Sequence, residues 1–238
     1  MGIIQNLQWD STFFNMKCGK VIIDDKFSKW NELYEDVKKY NFVTIQNIGN
    51  KIYNNEKIAL IEGVFLADLN IQFEKEVQHG SEEINCKIYS CVDVPRELFE
   101  SAKVYPYDFV FSKFECDSRL KKMNGYKVYE EWLKNSKGDA SKFVTFYLED
   151  GICGFILFCI ECNEARIELI KVEREFQKKG IATKMIKHLE KYLSKNNIEI
   201  LKVGTQVNNL GAINLYHHIG FKEVLGISVY HYWNNVPI

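Results

Sequence analysis

Ile167-Glu168-Leu169-Ile170-Lys171-Val172, followed by Gln177-Lys178-Lys179-Gly180-Ile181-Ala182, is the stretch on which the reading of this chain turns. The first segment has the composition of a strand. The second opens the best helix in the sequence, 180–193, in which Ile181, Met185, Ile186, Leu189, Tyr192 and Leu193 form one apolar stripe. A strand–loop–helix junction presents unpaired backbone N–H groups and the positive end of a helix dipole to an anion. Gly180 and Ala182 keep side-chain bulk away from those amides, and Lys178 and Lys179 add positive charge. The loop has neither the G-x-x-x-x-G-K-[ST] of a P-loop nor the G-x-G-x-x-G of a dinucleotide site. Taken alone, it reads equally as an ordinary strand-to-helix turn on a basic surface.

Working outward, 125–133 carries Tyr126, Tyr129, Trp132 and Leu133 at helical spacing. The run 143–148, the turn Glu149-Asp150-Gly151 and the run 152–160 read as a hairpin. Strands are expected over 165–172 and 198–203. A helix capped by Asn208 should run to about 218 and end at Gly220, with strands from Phe221 onward. The order is α/β with mixed strand directions. In the first half, strands are expected over 21–23, 42–48, 58–62, 64–73 and 86–92, the third and fourth joined near Gly63. Ser28 should cap a helix to about 39, and Pro95 should open one to about 103. The mixed pattern over 105–120 marks the expected boundary between a domain 1–118 and a domain 119–238.

Composition excludes several function classes. A net charge of -1 over 238 residues gives no reason to expect a nucleic-acid partner. No apolar run approaches the roughly 18 residues of a membrane span, and the N-terminus lacks a secretory pattern. A cytoplasmic location is therefore expected, with no membrane partner. The seven cysteines are odd in number and scattered. Cys159 and Cys162 form a C-x-x-C without the second pair that a zinc ribbon needs, so simple thiols are expected. The histidines at 79, 188, 217, 218 and 231 have no ligand spacing beyond the adjacent His217 and His218, which diverge by about 100° on a helix. No metal site is expected.

The junction does not stand alone. Asn208-Asn209-Leu210-Gly211-Ala212-Ile213-Asn214-Leu215-Tyr216-His217-His218-Ile219-Gly220-Phe221 resembles the N-x-x-A-x-x-L-Y-x-x-x-G-F element of the GNAT acetyltransferase superfamily. The segment from Gln177 to Ala182 resembles its [QR]-x-x-G-x-[GA] motif. The resemblance implies a GNAT fold in the C-terminal half: a mixed, mostly antiparallel sheet with splayed central strands, preceded by a smaller α/β domain. It also implies acetyl-CoA as acyl donor. Backbone groups of Ile170 and Val172 would pair with the pantetheine arm and polarise the thioester. Gln177 belongs to the motif, and backbone amides of Lys178, Lys179, Gly180, Ile181, Ala182 and Thr183 would hold the pyrophosphate. Asn208 would contact the pantetheine or a water near it, besides its reading as a helix cap.

Tyr216 matches the superfamily tyrosine near the CoA sulfur. A phenol of pKa about 10 can assist a thiolate leaving group; the competing reading is a core aromatic. The implied fifth strand ends Val203-Gly204-Thr205-Gln206, without the carboxylate many members place there. Glu168 is the candidate base, and a surface carboxylate or partner of Arg166 is its plain reading. Water-relayed deprotonation remains open, while no cysteine has an activated setting for a covalent route.

Trp9-Asp10-Ser11-Thr12-Phe13-Phe14, Tyr129-Glu130-Glu131-Trp132-Leu133-Lys134-Asn135-Ser136 and Thr205-Gln206-Val207-Asn208-Asn209 resemble the TDP-fucosamine acetyltransferase group. That resemblance implies transfer to a small-molecule amine, the 4-amino group of a TDP-linked 4-amino-4,6-dideoxy sugar, in a cleft between the domains. A peptide or protein N-terminus, an antibiotic amine, and a non-catalytic acyl-CoA sensor stand as alternatives. A homodimer is kept among the expected assemblies.

Overall fold

The computed structural model describes residues 2–78 and 85–234. His79 and Pro237 lie outside them. Among the described residues ten strands form one sheet: β1 (Gln5–Asn6), β2 (Cys18–Ile23), β3 (Phe42–Ile48), β4 (Val64–Glu76), β5 (Cys86–Ser90), β6 (Lys142–Leu148), β7 (Ile152–Glu161), β8 (Glu164–Val172), β9 (Ile200–Gln206) and β10 (Lys222–Trp233). Their order is β1-β2-β3-β10-β4-β9-β8-β7-β6-β5. Neighbours are antiparallel except β2 with β3 and β8 with β9. The GNAT fold expected for the second half is therefore present, and β10 hydrogen-bonds to both β3 and β4.

The helices are α1 (Gln8–Phe13), α2 (Trp30–Asp36), α3 (Ile52–Ile58), α4 (Arg96–Ser101), α5 (Lys113–Cys116), α6 (Ser118–Lys122), α7 (Lys127–Asn135), α8 (Ile181–Lys195) and α9 (Leu210–His218). The interior strand β7 is apolar on both faces because both are covered. Ile156 and Phe158 pack with Met185, Ile186 and Leu189 of α8, while Phe155 and Leu157 pack with Phe99 of α4 and Leu133 of α7. A third cluster joins Trp30 and Leu33 of α2 and Ile58 of α3 to Val43 and Ile45 of β3.

Two expectations for the first half change. Residues 58–62 are not a strand: Ile58 closes α3, and Asn54, Ile58 and Ile61 bury at helical spacing. A short apolar run fits either period, and here the spacing four residues upstream decides it. Gly63 then turns with φ +82°, where a Cβ would lie 2.7 Å from the Trp233 carbonyl oxygen. Ser28 is not the cap of α2; Lys29 occupies that position without a side-chain hydrogen bond.

Buried polar groups tie the elements together. Lys75 of β4 pairs with Glu190 of α8 at 2.9 Å and donates to the Ile219 carbonyl at 2.6 Å, fixing β4, α8 and the end of α9 to one another. Asp117 accepts from the Arg119 amide at the start of α6 and from Trp233 Nε1 of β10 at 3.0 Å. His231 Nδ1 lies 2.7 Å from the same carboxylate. Burial alone would raise the Asp117 carboxyl, but the hydrogen bonds from His231 and Trp233 outweigh it and hold it below its ordinary range. Burial keeps His231 below its usual value, so a neutral ring donating to an ionised Asp117 accounts for both shifts. Among the described residues no helix is long and apolar enough to cross a membrane.

Candidate active site

The site begins where β8 and β9 part. They pair in parallel only from Glu164 with Ile200 to Ile167 with Val203. β8 continues to Val172 and β9 to Gln206, so a gap opens between their C-terminal halves. At the mouth of the gap, Leu157 and Phe158 of β7 face Leu169 and Ile167, leaving Glu168 as the extra residue of a β-bulge. The bulge breaks the alternation. Ile167 packs on the α8 side of the sheet and Leu169 on the opposite side. Ile170 and Val172 return to the α8 side, where both line a cavity of about 520 Å³.

The floor of that cavity is the start of α8. Gly180 holds the N-cap position with φ 78° and no side-chain cap. The first helical bond runs from the Lys184 amide to the Gly180 carbonyl at 3.0 Å, so the amides of Ile181, Ala182 and Thr183 precede the helical ladder. All three residues, with Gly180 and Lys178, line the cavity. A Cβ on Gly180 would meet nothing of the protein within 4 Å, so the space above it is open. Lys178 also takes a left-handed conformation, φ 59°. Gln177 lines the cavity while its amide donates to the Val172 carbonyl at 3.0 Å, which ties the loop to the end of β8. Lys179 turns aside, its ammonium 5.1 Å from the Phe176 ring, and is not part of the wall.

Asn208 is neither the helix cap nor a wall residue. Asn209 caps α9, accepting from the Ala212 amide at 3.2 Å and donating to Thr205 Oγ1 at 3.1 Å, and it lines the cavity. Asparagine serves at either position, and only the backbone decides between neighbours. Tyr216 of α9 lines the same cavity from a nearly fully buried position between Phe73 and Phe221. Burial pushes its phenol up from the usual value, so it stays protonated.

A second cavity, about 700 Å³, lies on the other side of the gap. Tyr129, Ile167, Glu168, Gly204 and Gln206 line both cavities, so the two meet at the bulge. Its walls carry side-chain amides from Gln46, Asn70, Gln72 and Asn135 and the rings of Trp9 and Trp132. Glu168 is bound there by Lys142 at 2.8 Å. Three charged groups also converge here, Asp10, Asp68 and Lys113, of which the sequence reading quoted only Asp10, within a motif. Burial pushes the Asp68 carboxyl up to about 6, against the opposing pull of the Leu69 amide, Lys113 and Gln206. Burial pushes Lys113 down to about 8, with Asp10 and Asp68 acting the other way. Burial also raises Asp10. A carboxylate inside the apolar run 64–73 was a visible signal for Asp68; nothing in the sequence marks Lys113.

Among the described residues no group of three or more His, Cys, Asp or Glu side chains could hold a metal. Cys159 and Cys162 are free thiols, half-buried and exposed.

A split parallel pair above an uncapped, glycine-led helix start defines the class: this is the GNAT acetyltransferase fold. The Acetyltransferase (GNAT) family model matches residues 107–221, which carry the split pair, α8 and α9. A GCN5-related N-acetyltransferase from Kribbella flavida superposes with a TM-score of 0.62 over 99% of this chain and 88% of its own, at 8% identity. The spore coat polysaccharide biosynthesis protein SpsD of Bacillus subtilis is 25% identical over 126 residues, covering 52% of this chain and 44% of that protein. The [Ribosomal protein bS18]-alanine N-acetyltransferase of Salmonella typhimurium is 28% identical over 94 residues, covering 40% of this chain and 64% of that protein. The matches thus span less than two thirds of either curated relative.

Proposed function

We propose that the chain transfers the acetyl group of acetyl-CoA to a small-molecule amine by direct attack on the thioester. The observation that carries this reading is the meeting of two cavities at the gap between β8 and β9, one floored by uncapped helix amides and the other walled by polar and aromatic side chains. The amides from Lys178 to Thr183 take the pyrophosphate, where N–H groups and the helix dipole both favour an anion. The free edge of β8 at Ile170 and Val172 pairs with the pantetheine arm, which runs as an extra strand in the gap. The Tyr216 phenol donates to the departing sulfur.

The acceptor is an amino sugar carried on a nucleotide diphosphate, of the TDP-4-amino-4,6-dideoxyhexose kind. Amides and aromatic rings suit hydroxyl-rich rings, and the polysaccharide role in the name of the SpsD relative agrees. In this reading residues 1–118 frame the acceptor and residues 119–238 hold the donor. The competing acceptor is a peptide N-terminus, which the ribosomal-protein N-acetyltransferase relative favours. Thiol release separates the two. The protein is mixed with acetyl-CoA and, in turn, a TDP-4-amino-4,6-dideoxyhexose, an alanine-initiated peptide and an aminoglycoside. We expect the sugar nucleotide to give the highest kcat/KM. Preference for the peptide would replace the acceptor, and acetyl-CoA binding without turnover on any amine would make the chain a sensor.

A further inference from the structure

We propose that Asp68 is the base that takes the proton of the acceptor's ammonium before it attacks. The inference rests on the acetyl-transfer reading and assigns a role that Glu168 was expected to fill.

Position comes first. Asp68 stands in the interior of β4, opposite Val229 of β10, and its side chain lines the acceptor cavity. Gln206, which hydrogen-bonds to the Asp68 carboxylate, also lines the donor cavity. The carboxylate is therefore one side chain away from the gap. Availability comes second. Glu168 is nearer the bulge, but Lys142 engages it at 2.8 Å in a half-buried pair, so its carboxylate already has a cationic partner. Among the described residues no salt bridge is formed by Asp68, although Lys113 of α5 acts on it through space. Tuning comes third. Desolvation raises the Asp68 carboxyl to about 6, close to where a general base works best at neutral pH.

The other charged and titratable groups around this cavity are Asp10 of α1, Lys20 of β2, Lys113, Glu115 and Cys116 of α5, Tyr129 of α7, and Arg166 and Glu168 of β8. Lys113 acts through space on both Asp10 and Asp68.

The protons balance. The ammonium gives one proton to Asp68 and becomes a neutral amine. Its nitrogen lone pair forms the C–N bond as the C–S bond breaks; the sulfur takes the Tyr216 proton, the nitrogen gives its second proton to solvent, and solvent reprotonates the Tyr216 oxygen. Asp68 then releases its proton to water, so one proton is produced for each amide and thiol formed.

The test is the pH profile of kcat/KM for the sugar nucleotide above, with a peptide and an aminoglycoside as parallel probes. The wild type should lose activity below about pH 6, where Asp68 is protonated. In Asp68→Asn, kcat/KM at pH 7 should fall by roughly 10²- to 10⁴-fold. The limb near pH 6 should give way to a tenfold rise per pH unit up to the amine's own pKa. Calorimetric acetyl-CoA affinity should be retained, which verifies the fold. Asp68→Glu should restore the low-pH limb, displaced, and keeps the test sound if the asparagine variant misfolds. An unchanged profile in Asp68→Asn, or loss of the limb in Asp10→Asn instead, overturns the assignment and leaves acetyl transfer standing. A wild type that acetylates none of the three amines overturns the transfer reading itself.

Discussion

Tyr216 illustrates how a single side chain can serve the core and the chemistry together. Its ring fills space between Phe73 and Phe221, and burial keeps its phenol protonated, as the proposed donation to the sulfur requires. Removing the hydroxyl alone leaves the packing in place. Tyr216→Phe should therefore lower kcat by about 10²-fold or less, because a thiolate leaves tolerably without help. The acetyl-CoA Kd should stay unchanged by calorimetry. Single-turnover rates equal to wild type would remove the phenol from the mechanism. Tyr216 and Gly180 could be read from the chain because each belongs to a local pattern with fixed spacing. The meeting of Asp68 with Lys113 could not, because one stands on β4 and the other on α5, segments far apart in sequence. A charged residue in a strand announces only that something must solvate it.

At the scale of elements, the start of α8 is the proposed donor site and can be tested without disturbing the core. Gly180 has φ 78°, a conformation that costs an L-residue roughly 1–2 kcal/mol. The open space over its Cα means that a new side chain there would meet the proposed donor and not the protein. Gly180→Val should raise the acetyl-CoA Kd at least tenfold by calorimetry, with a fall in Tm of roughly 2–8 °C. Full affinity with a lowered Tm would move the pyrophosphate elsewhere. Sequence periodicity placed α8, β6, β7 and β8 because their apolar patterns are long. It misassigned 58–62, where the run is short, and shifted the α9 cap by one asparagine. It could not show the Glu168 bulge, since an inserted residue leaves composition untouched and changes only which face each neighbour takes. The segment from Phe221 proved to be one long strand, β10, where several were expected.

Across the whole molecule the sheet is the unit of cohesion. β10 bonds to β3 on one side and β4 on the other, and β4 in turn bonds to β9. The buried Lys75–Glu190 pair and the Asp117–His231–Trp233 contacts cross the same region. Urea unfolding followed by tryptophan fluorescence and far-ultraviolet dichroism should therefore give coincident transitions. Saturating acetyl-CoA at 100-fold over its Kd should add about 2.7 kcal/mol, or roughly 5–11 °C in Tm. Two separated transitions would mean that the two parts of the chain melt independently.

The place of β10 also sets an order of events at the ribosome. Synthesis delivers β3 and β4 long before residues 222–233 emerge, so two edges that will be interior wait without their shared neighbour. Nascent chains must keep those edges from pairing with strangers until the keystone arrives. A message truncated before that point would leave a polypeptide with the loop 177–180 intact and a cleft sheet, a substrate for chaperones and proteases.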